Sequence, residues 1–216
     1  MPLTLVRQIL GIGLSALVLL GFYPANGQAA EGDWTMEPEI EARLISAVDG
    51  VGELDTVPAG LHLYLPKGWK TYWRSPGDAG LPVVVDWAAS DNVDQVGFSW
   101  PAPHRFQLFG LDTFGYEQEV MFPLAVTPAV QGQDISLRGD VNVLVCSDIC
   151  IPYTLPVSLS LPAGPAAPDA RSANLIDRFA AQVPDGGEAS GFTLASLSAQ
   201  SAAGEFGRIS VEVEAR

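Results

Sequence analysis

The 216-residue chain is short of cysteine, histidine and positive charge. It carries two cysteines and two histidines, and 11 Lys plus Arg against 25 Asp plus Glu, a formal net charge of −14. So few cations in so acidic a chain argue against nucleic acid and anionic membrane surfaces as partners, because both are bound through clustered Lys and Arg. His62 and His104, the only histidines, have no Ser or Asp motif tied to them, so no hydrolytic triad is in view. No glycine loop of the phosphate-cradling or dinucleotide type occurs, and the chain calls for no cofactor. Past residue 30 no apolar run approaches the length that spans a bilayer, and no internal repeat is visible.

Residues 1–30 have the layout of a secretory signal peptide. Arg7 gives a short positive region, Ile9 to Phe22 an apolar one, and Gly27-Gln28-Ala29 small residues for cleavage, with cleavage after Ala30 also possible. Export would place the cysteines where a disulfide persists.

From residue 31 to 161 the signals are those of strands. Ile40, Ala42 and Leu44 alternate with Glu39, Glu41 and Arg43, and Leu61, Leu63 and Leu65 alternate with His62 and Tyr64. Further strand-like runs follow at 83–85, 93–100, 119–126, 135–145 and 153–161, separated by Gly, Pro and Asp clusters. This spacing predicts an all-β fold, an immunoglobulin-like β-sandwich. Residues 162–170, rich in Pro and Ala, read as a linker. Residues 171–216 read as the opening of a second, truncated β-domain. Ser172 would cap a short helix with Leu175, Ile176, Phe179 and Ala180 on one face, and two strand-like runs follow at 192–197 and 208–213.

Within the sandwich, His62 is out of phase with the leucines, which puts it on the outer face, and His104 follows Pro101-Ala102-Pro103 in a loop. The aromatic segment from Lys67 to Pro82 reads as a packed corner with Trp69 and Trp73 partly buried, and Leu111 to Glu117 as an aromatic and glycine loop.

The chemistry rests on Cys146 and Cys150. On one continuous strand, residues four apart lie about 13 Å from each other, whereas a disulfide needs Cα atoms within about 7 Å. A bond between them therefore demands a turn at Ser147-Asp148-Ile149, across a hairpin mouth or on one helical turn. So small a ring is a weak staple, about 2 kcal/mol in the chain-entropy model. Three readings stay open on spacing alone: a structural disulfide, a redox-active pair, or two soft ligands for Cu(I).

Four segments, Thr71–Pro82 (TYWRSPGDAGLP), Trp100-Pro101, Gly115–Pro123 (GYEQEVMFP) and Val145–Pro152 (VCSDICIP), together resemble the N-terminal domain of DsbD-type thiol:disulfide interchange proteins. The resemblance implies a periplasmic domain, the exported part of an inner-membrane protein, working within a protein-disulfide reductase relay. It would take electrons from a thioredoxin-like donor domain, supplied through a membrane electron-transfer domain, and pass them to periplasmic thioredoxin-fold disulfide proteins. Cys146 and Cys150 would carry the exchange, and the second cysteine would form the mixed disulfide. Asp112 and Phe114, with Tyr116 beside them, match approximately a loop that caps the pair at rest. Three residues between the cysteines, in place of five, is similar to the ScsB branch, linked to copper tolerance.

The residues agree with that chemistry. Cys150 lies past the turn, and Pro152 prevents an immediate return to full strand pairing, which makes its sulfur the more accessible. Asp148, between the cysteines, raises a neighbouring thiol's pKa. No basic side chain lies near the pair in sequence. Copper binding through the two thiolates and a merely stapling disulfide remain the alternatives.

Overall fold

A computed structural model describes residues 31–108, 110–185, 191–200 and 208–215. The signal-peptide expectation lies outside these residues. In chain order the strands are β1 (Thr35–Glu37), β2 (Ile40–Ser46), β3 (Val57–Tyr64), β4 (Lys70–Gly77), β5 (Val84–Asp86), β6 (Val93–Phe98) and β7 (His104–Leu108). There follow β8 (Leu111–Glu117), β9 (Glu119–Pro128), β10 (Ile135–Cys146), β11 (Cys150–Leu161), helix α1 (Ala170–Ala180), β12 (Phe192–Gln200) and β13 (Arg208–Ala215). The fold is the expected β-sandwich. One sheet runs β1-β2-β3-β9-β6, the other β11-β10-β4-β8-β7 with β5 alongside β10.

Inward residues of both sheets make one core. Leu44, Leu61, Leu63 and Phe122 of the first sheet are fully buried, as are Val141, Val145 and Leu155 of the second. Along most of β10 and the second half of β11 burial alternates, the mark of a sheet with one face on the core and one on solvent. In β2 and β3 nearly every residue is buried, so that sheet is covered on both faces.

The second cover is α1. Its Ile176 and Phe179 join the sandwich core cluster. A Cβ on Gly60 would lie 2.3 Å from the Met121 sulfur and 3.3 Å from Ile176 Cγ1, so glycine there is what lets the helix seat. Sequence grouped this helix with the unit that follows, but its apolar stripe is spent on the sandwich. The cap is also different. Asp169, not Ser172, is the N-cap, and its carboxylate accepts from the Ser172 backbone N–H at 2.7 Å. Residues 162–169 are tied down rather than loose. Asp49 N–H donates to Ala167 O, Val51 to Pro162 O, Gly52 to Gly164 O, and Asp169 to Ala47 O. Strands β12 and β13 form a separate antiparallel hairpin whose Leu194, Leu197, Val211 and Val213 are all exposed.

His62 keeps the predicted phase, but its face is closed. It is 6% exposed, against Trp34 (ring centroids 4.9 Å) and beside Glu119 at 2.9 Å. Burial lowers its pKa below the usual 6.5, outweighing the opposing pull of the Glu119 carboxylate. His104 opens β7 rather than sitting in a loop, because 104–108 pair with 111–115.

Candidate functional site

The β10–β11 hairpin carries the cysteines at its tip. Twelve residue pairs run in unbroken register from Ile135↔Leu161 to Cys146↔Cys150. The turn residues Ser147, Asp148 and Ile149 then close the strand ends, with Ser147 N–H donating to Ile149 O at 2.9 Å. Cys146 and Cys150 are disulfide-bonded, with Cα atoms 4.1 Å apart. The hairpin mouth, rather than a helical turn, is thus what joins them.

The two sulfurs have unequal surroundings. Cys146 is fully buried and Cys150 is exposed, as are Asp148 and Ile149 in the turn. Alternation places both cysteines on the outer face of the sheet, with Leu144 and Asn142, while Val141, Val143 and Val145 face the core. Cys146 is therefore buried although it is on the outer face. Its cover comes from neighbours on the outer face, where its register partner on β4 is Lys70. Thr71 Oγ1 donates to Leu144 O at 3.1 Å and pins that pairing. Directly opposed residues of antiparallel strands have Cβ atoms about 5 Å apart, so the nearest basic residue arrives through the fold, not the sequence. The Lys70 ammonium lies 5.3 Å from the Phe106 ring centroid, over β7.

The residues matched to the cap are all on β8, which is a strand rather than a loop. Asp112 is bound by Arg105 across the β7–β8 hairpin (Nη2–Oδ2 2.5 Å), and this hydrogen bond holds its carboxyl below the usual carboxylate range. Its backbone N–H donates to Asp78 Oδ2 at 3.0 Å, and its carbonyl accepts from Asp78 N–H at 2.9 Å. Phe114 is half-buried, beside Trp73 and the 74–77 segment. Tyr116, two residues on and on the same face of the strand, is buried in the core, edge-on to Phe122 at 5.3 Å and donating to Pro101 O at 2.8 Å. Its burial raises its pKa well beyond the usual value, as befits a packing residue. The structure thus puts Asp148 beside the cysteines, Asp112 and Phe114 on the β7–β8 hairpin two strands away, and Tyr116 in the core.

The segment Ser75–Pro82 is the brace between these parts. Gly77 has φ +92°, and a Cβ there would meet Asp112 O at 2.5 Å; Gly80 has φ +110°, and a Cβ would meet the Tyr72 ring at 2.3 Å. Only glycine allows both approaches. The chain then passes over Tyr72, bridging Pro82 to it, and delivers Leu81, Pro82 and Val84 beside β10. With Leu144, Pro152 and Tyr153 they line a groove of about 450 Å³ on the disulfide's face of the sheet. Sequence reading missed Lys70 and this groove, and the only available signal was the glycine spacing of the SPGDAGLP segment.

The sequence profile of the family described as "Thiol:disulfide interchange protein DsbD, N-terminal" matches residues 41–162, which include both sheets apart from β1, and the cysteine hairpin. The chain belongs to that family. Among solved structures, the N-terminal periplasmic domain of ScsB from Proteus mirabilis is similar at 26% identity and a TM-score of 0.60, over 81% of this chain and 66% of that one. This chain therefore spans just under two thirds of that ScsB domain. The DsbD N-terminal domain of Neisseria meningitidis in its reduced form is similar at 17% identity and a TM-score of 0.31, over 64% of this chain and 87% of that one. No curated protein matches the chain. As a DsbD N-terminal domain, the sandwich is a thiol–disulfide interchange module with Cys146–Cys150 as its disulfide. Among the described residues no helix is long and apolar enough to cross a membrane.

Proposed function

We propose that this domain works in the periplasm as an electron relay, cycling Cys146 and Cys150 between disulfide and dithiol. A thioredoxin-like donor, supplied through a membrane domain, reduces the pair, and the pair then reduces extracytoplasmic proteins of thioredoxin fold. The observation that carries this reading is the inequality of the sulfurs, one buried and one exposed, at the tip of a hairpin. In the reducing direction the Cys150 thiolate attacks a partner sulfur. A Cys150–partner disulfide forms, and the partner's second sulfur leaves as a thiolate. Cys146 then attacks Cys150, its own disulfide re-forms, and the partner's first sulfur departs with the electron pair. Two electrons pass to the partner, and the two protons of the dithiol end on the partner's thiols. Access decides which sulfur begins the reaction, and the exposure of Cys150 supports its role.

The β7–β8 hairpin is proposed as the shield of the pair at rest, through Phe106, which lies under Lys70 on the cysteines' face of the sheet. Asp112 acts in this reading by positioning, since its ties to Arg105 and Asp78 hold the hairpin against the brace.

Trapping with a thioredoxin-fold partner tests the assignment of roles. Cys146→Ala should accumulate a covalent complex, because the resolving thiol is gone, and Cys150→Ala should form none on a non-reducing gel. The opposite pattern would reverse the roles, and no complex with either variant would remove the relay reading.

A further inference from the structure

The groove begins where the disulfide ends. Leu144↔Pro152 is the next outward-facing pair of the hairpin after Cys146↔Cys150, and Asn142↔Thr154 is the one after that. At about 3.4 Å per residue, the two pairs lie roughly 7 and 14 Å from the cysteine pair. Leu81, Pro82 and Val84 form the side wall, with Leu81 62% and Val84 58% exposed. Asn142 and Thr154 close the far end through their own hydrogen bond of 2.8 Å.

No residue lining the groove is charged, although the chain as a whole carries 36 formal charges among its Lys, Arg, Asp and Glu. Tyr153, the register partner of core-facing Val143, packs its side chain against the core and bonds its hydroxyl to Glu39, so it brings no charge to the groove. A charged side chain laid in this groove would lose water and gain no counter-charge. An aliphatic one would bury against Leu81, Val84, Leu144 and Pro152.

We propose that this groove is the seat for the uncharged, apolar residues that flank the reactive cysteine of an exchange partner. The inference rests on the exchange reading above and specifies the partner's chemistry. The geometry follows from the bond. A partner cysteine joined to Cys150 has its Cα within about 6 Å of the Cys150 Cα. Its chain neighbours, extended at about 3.4 Å per residue, then fall over Leu144, Pro152 and the Leu81–Val84 wall. Occupation by a flanking segment is thus continuous with the sulfur contact itself. Gly80, by seating the chain on Tyr72, is what holds that wall in place.

The test uses the reduced protein and three synthetic peptides, Leu-Val-Cys-Val-Leu, Ser-Ser-Cys-Ser-Ser and Glu-Glu-Cys-Glu-Glu, each activated as the mixed disulfide with 2-nitro-5-thiobenzoate. Cys150 attacks the peptide sulfur and the coloured thiolate leaves, so its release gives the rate. The same activated disulfide of 2-mercaptoethanol, which cannot reach the groove, is the reference. The apolar peptide should react about tenfold faster, relative to an uncharged Ser-Ser-Cys-Ser-Ser control, which separates seating from mere repulsion of acid by the acidic chain. Leu81→Glu with Val84→Glu, both at exposed positions, should abolish that preference while leaving the mercaptoethanol rate unchanged. Leu81→Ser with Val84→Ser should do the same without adding charge. Equal rates for the apolar and serine peptides, or a preference that survives both double variants, would overturn the inference. That outcome is distinct from failure of the exchange reading, which shows as no transfer to any thioredoxin-fold protein despite normal reaction with the small disulfide.

Discussion

The two outward faces of the sandwich are built to opposite ends. On the β1-β2-β3-β9-β6 sheet, the outer face is roofed by α1 and by the Trp34 segment. His62, Glu119 and Arg178 form a continuous chain there, with Arg178 Nη2 2.9 Å from Glu119 Oε2, and Arg43 pairs with Glu31 at 2.5 Å. On the β11-β10-β4-β8-β7 sheet, the outer face around the cysteines has no helix over it among the described residues. Leu81, Val84 and Ile149 stand more than half exposed there. Burial of an apolar face is the main stabilising term in a small domain. The first face uses that term in full, and the second forgoes part of it beside the disulfide. Stability is concentrated on one side of the molecule and reactivity on the other.

This division can be broken by equal truncations on the two sides. Ile176→Ala under the helix should lower the unfolding free energy by about 2–5 kcal/mol, read from urea denaturation, with no change in the exchange rate of the folded protein. Val84→Ala on the open face should stay within about 0.5 kcal/mol of the parent, as for surface changes away from special features. Similar losses at both positions would mean that the open face is a structural face after all.

A smaller effect sharpens the helix side. Asp169→Ala removes the side chain that caps the first turn of α1 and should cost about 1 kcal/mol, with Ser172→Ala well below it. A larger loss for Ser172 would restore it as the cap.

The smallest effect is one of pH. Burial lowers the His62 pKa in the fold, so the unfolded chain binds this proton more readily than the native one. The resulting contribution to stability is fully present above about pH 6.5, the unfolded value. It declines as pH falls below that, until the folded pKa is passed. His62→Gln should flatten this segment of the stability curve relative to the parent. A parent curve that instead rises as pH drops below 6.5, with the variant flat, would show that Glu119 outweighs burial.

How far this arrangement could be read from the chain depends on the distance over which each part is determined. Strands β10 and β11 were legible because their alternation, with Ser147-Asp148-Ile149 between them, is local and one-faced. The same few residues showed that a bond between the cysteines demands a turn, and left open whether the bond exists. The helix was legible as an amphipathic stripe, but its destination was not, since Gly60 and Met121 receive it from strands far upstream. His62 showed its phase and not its cover, which comes from Trp34. For His104, the prolines before it obscured a strand that exists through pairing with β8. Lys70 and the groove depend on β4 and β5 reaching β10, which a short window signals only through the glycine spacing of SPGDAGLP. Tyr116 looked like part of a cap because its motif is aromatic and glycine-rich, whereas the strand register directs its ring to Phe122.

Pro152 and Pro156 stand on the outermost strand of the reactive sheet. The 4.1 Å Cα separation of the cysteines marks a pair that exchanges no backbone hydrogen bonds. Alternation then puts Leu144↔Pro152 and Asp140↔Pro156 in the same class, whose amide positions point away from β10. Both prolines therefore lack donors on the border turned away from β10, and at Pro156 the Thr35 hydroxyl already donates to the carbonyl on that border. Beside Cys150, Pro152 denies an incoming strand one of the donors it would need to pair along β11. In the proposed relay, that missing amide would limit how tightly a partner is held and so favour its release after each transfer.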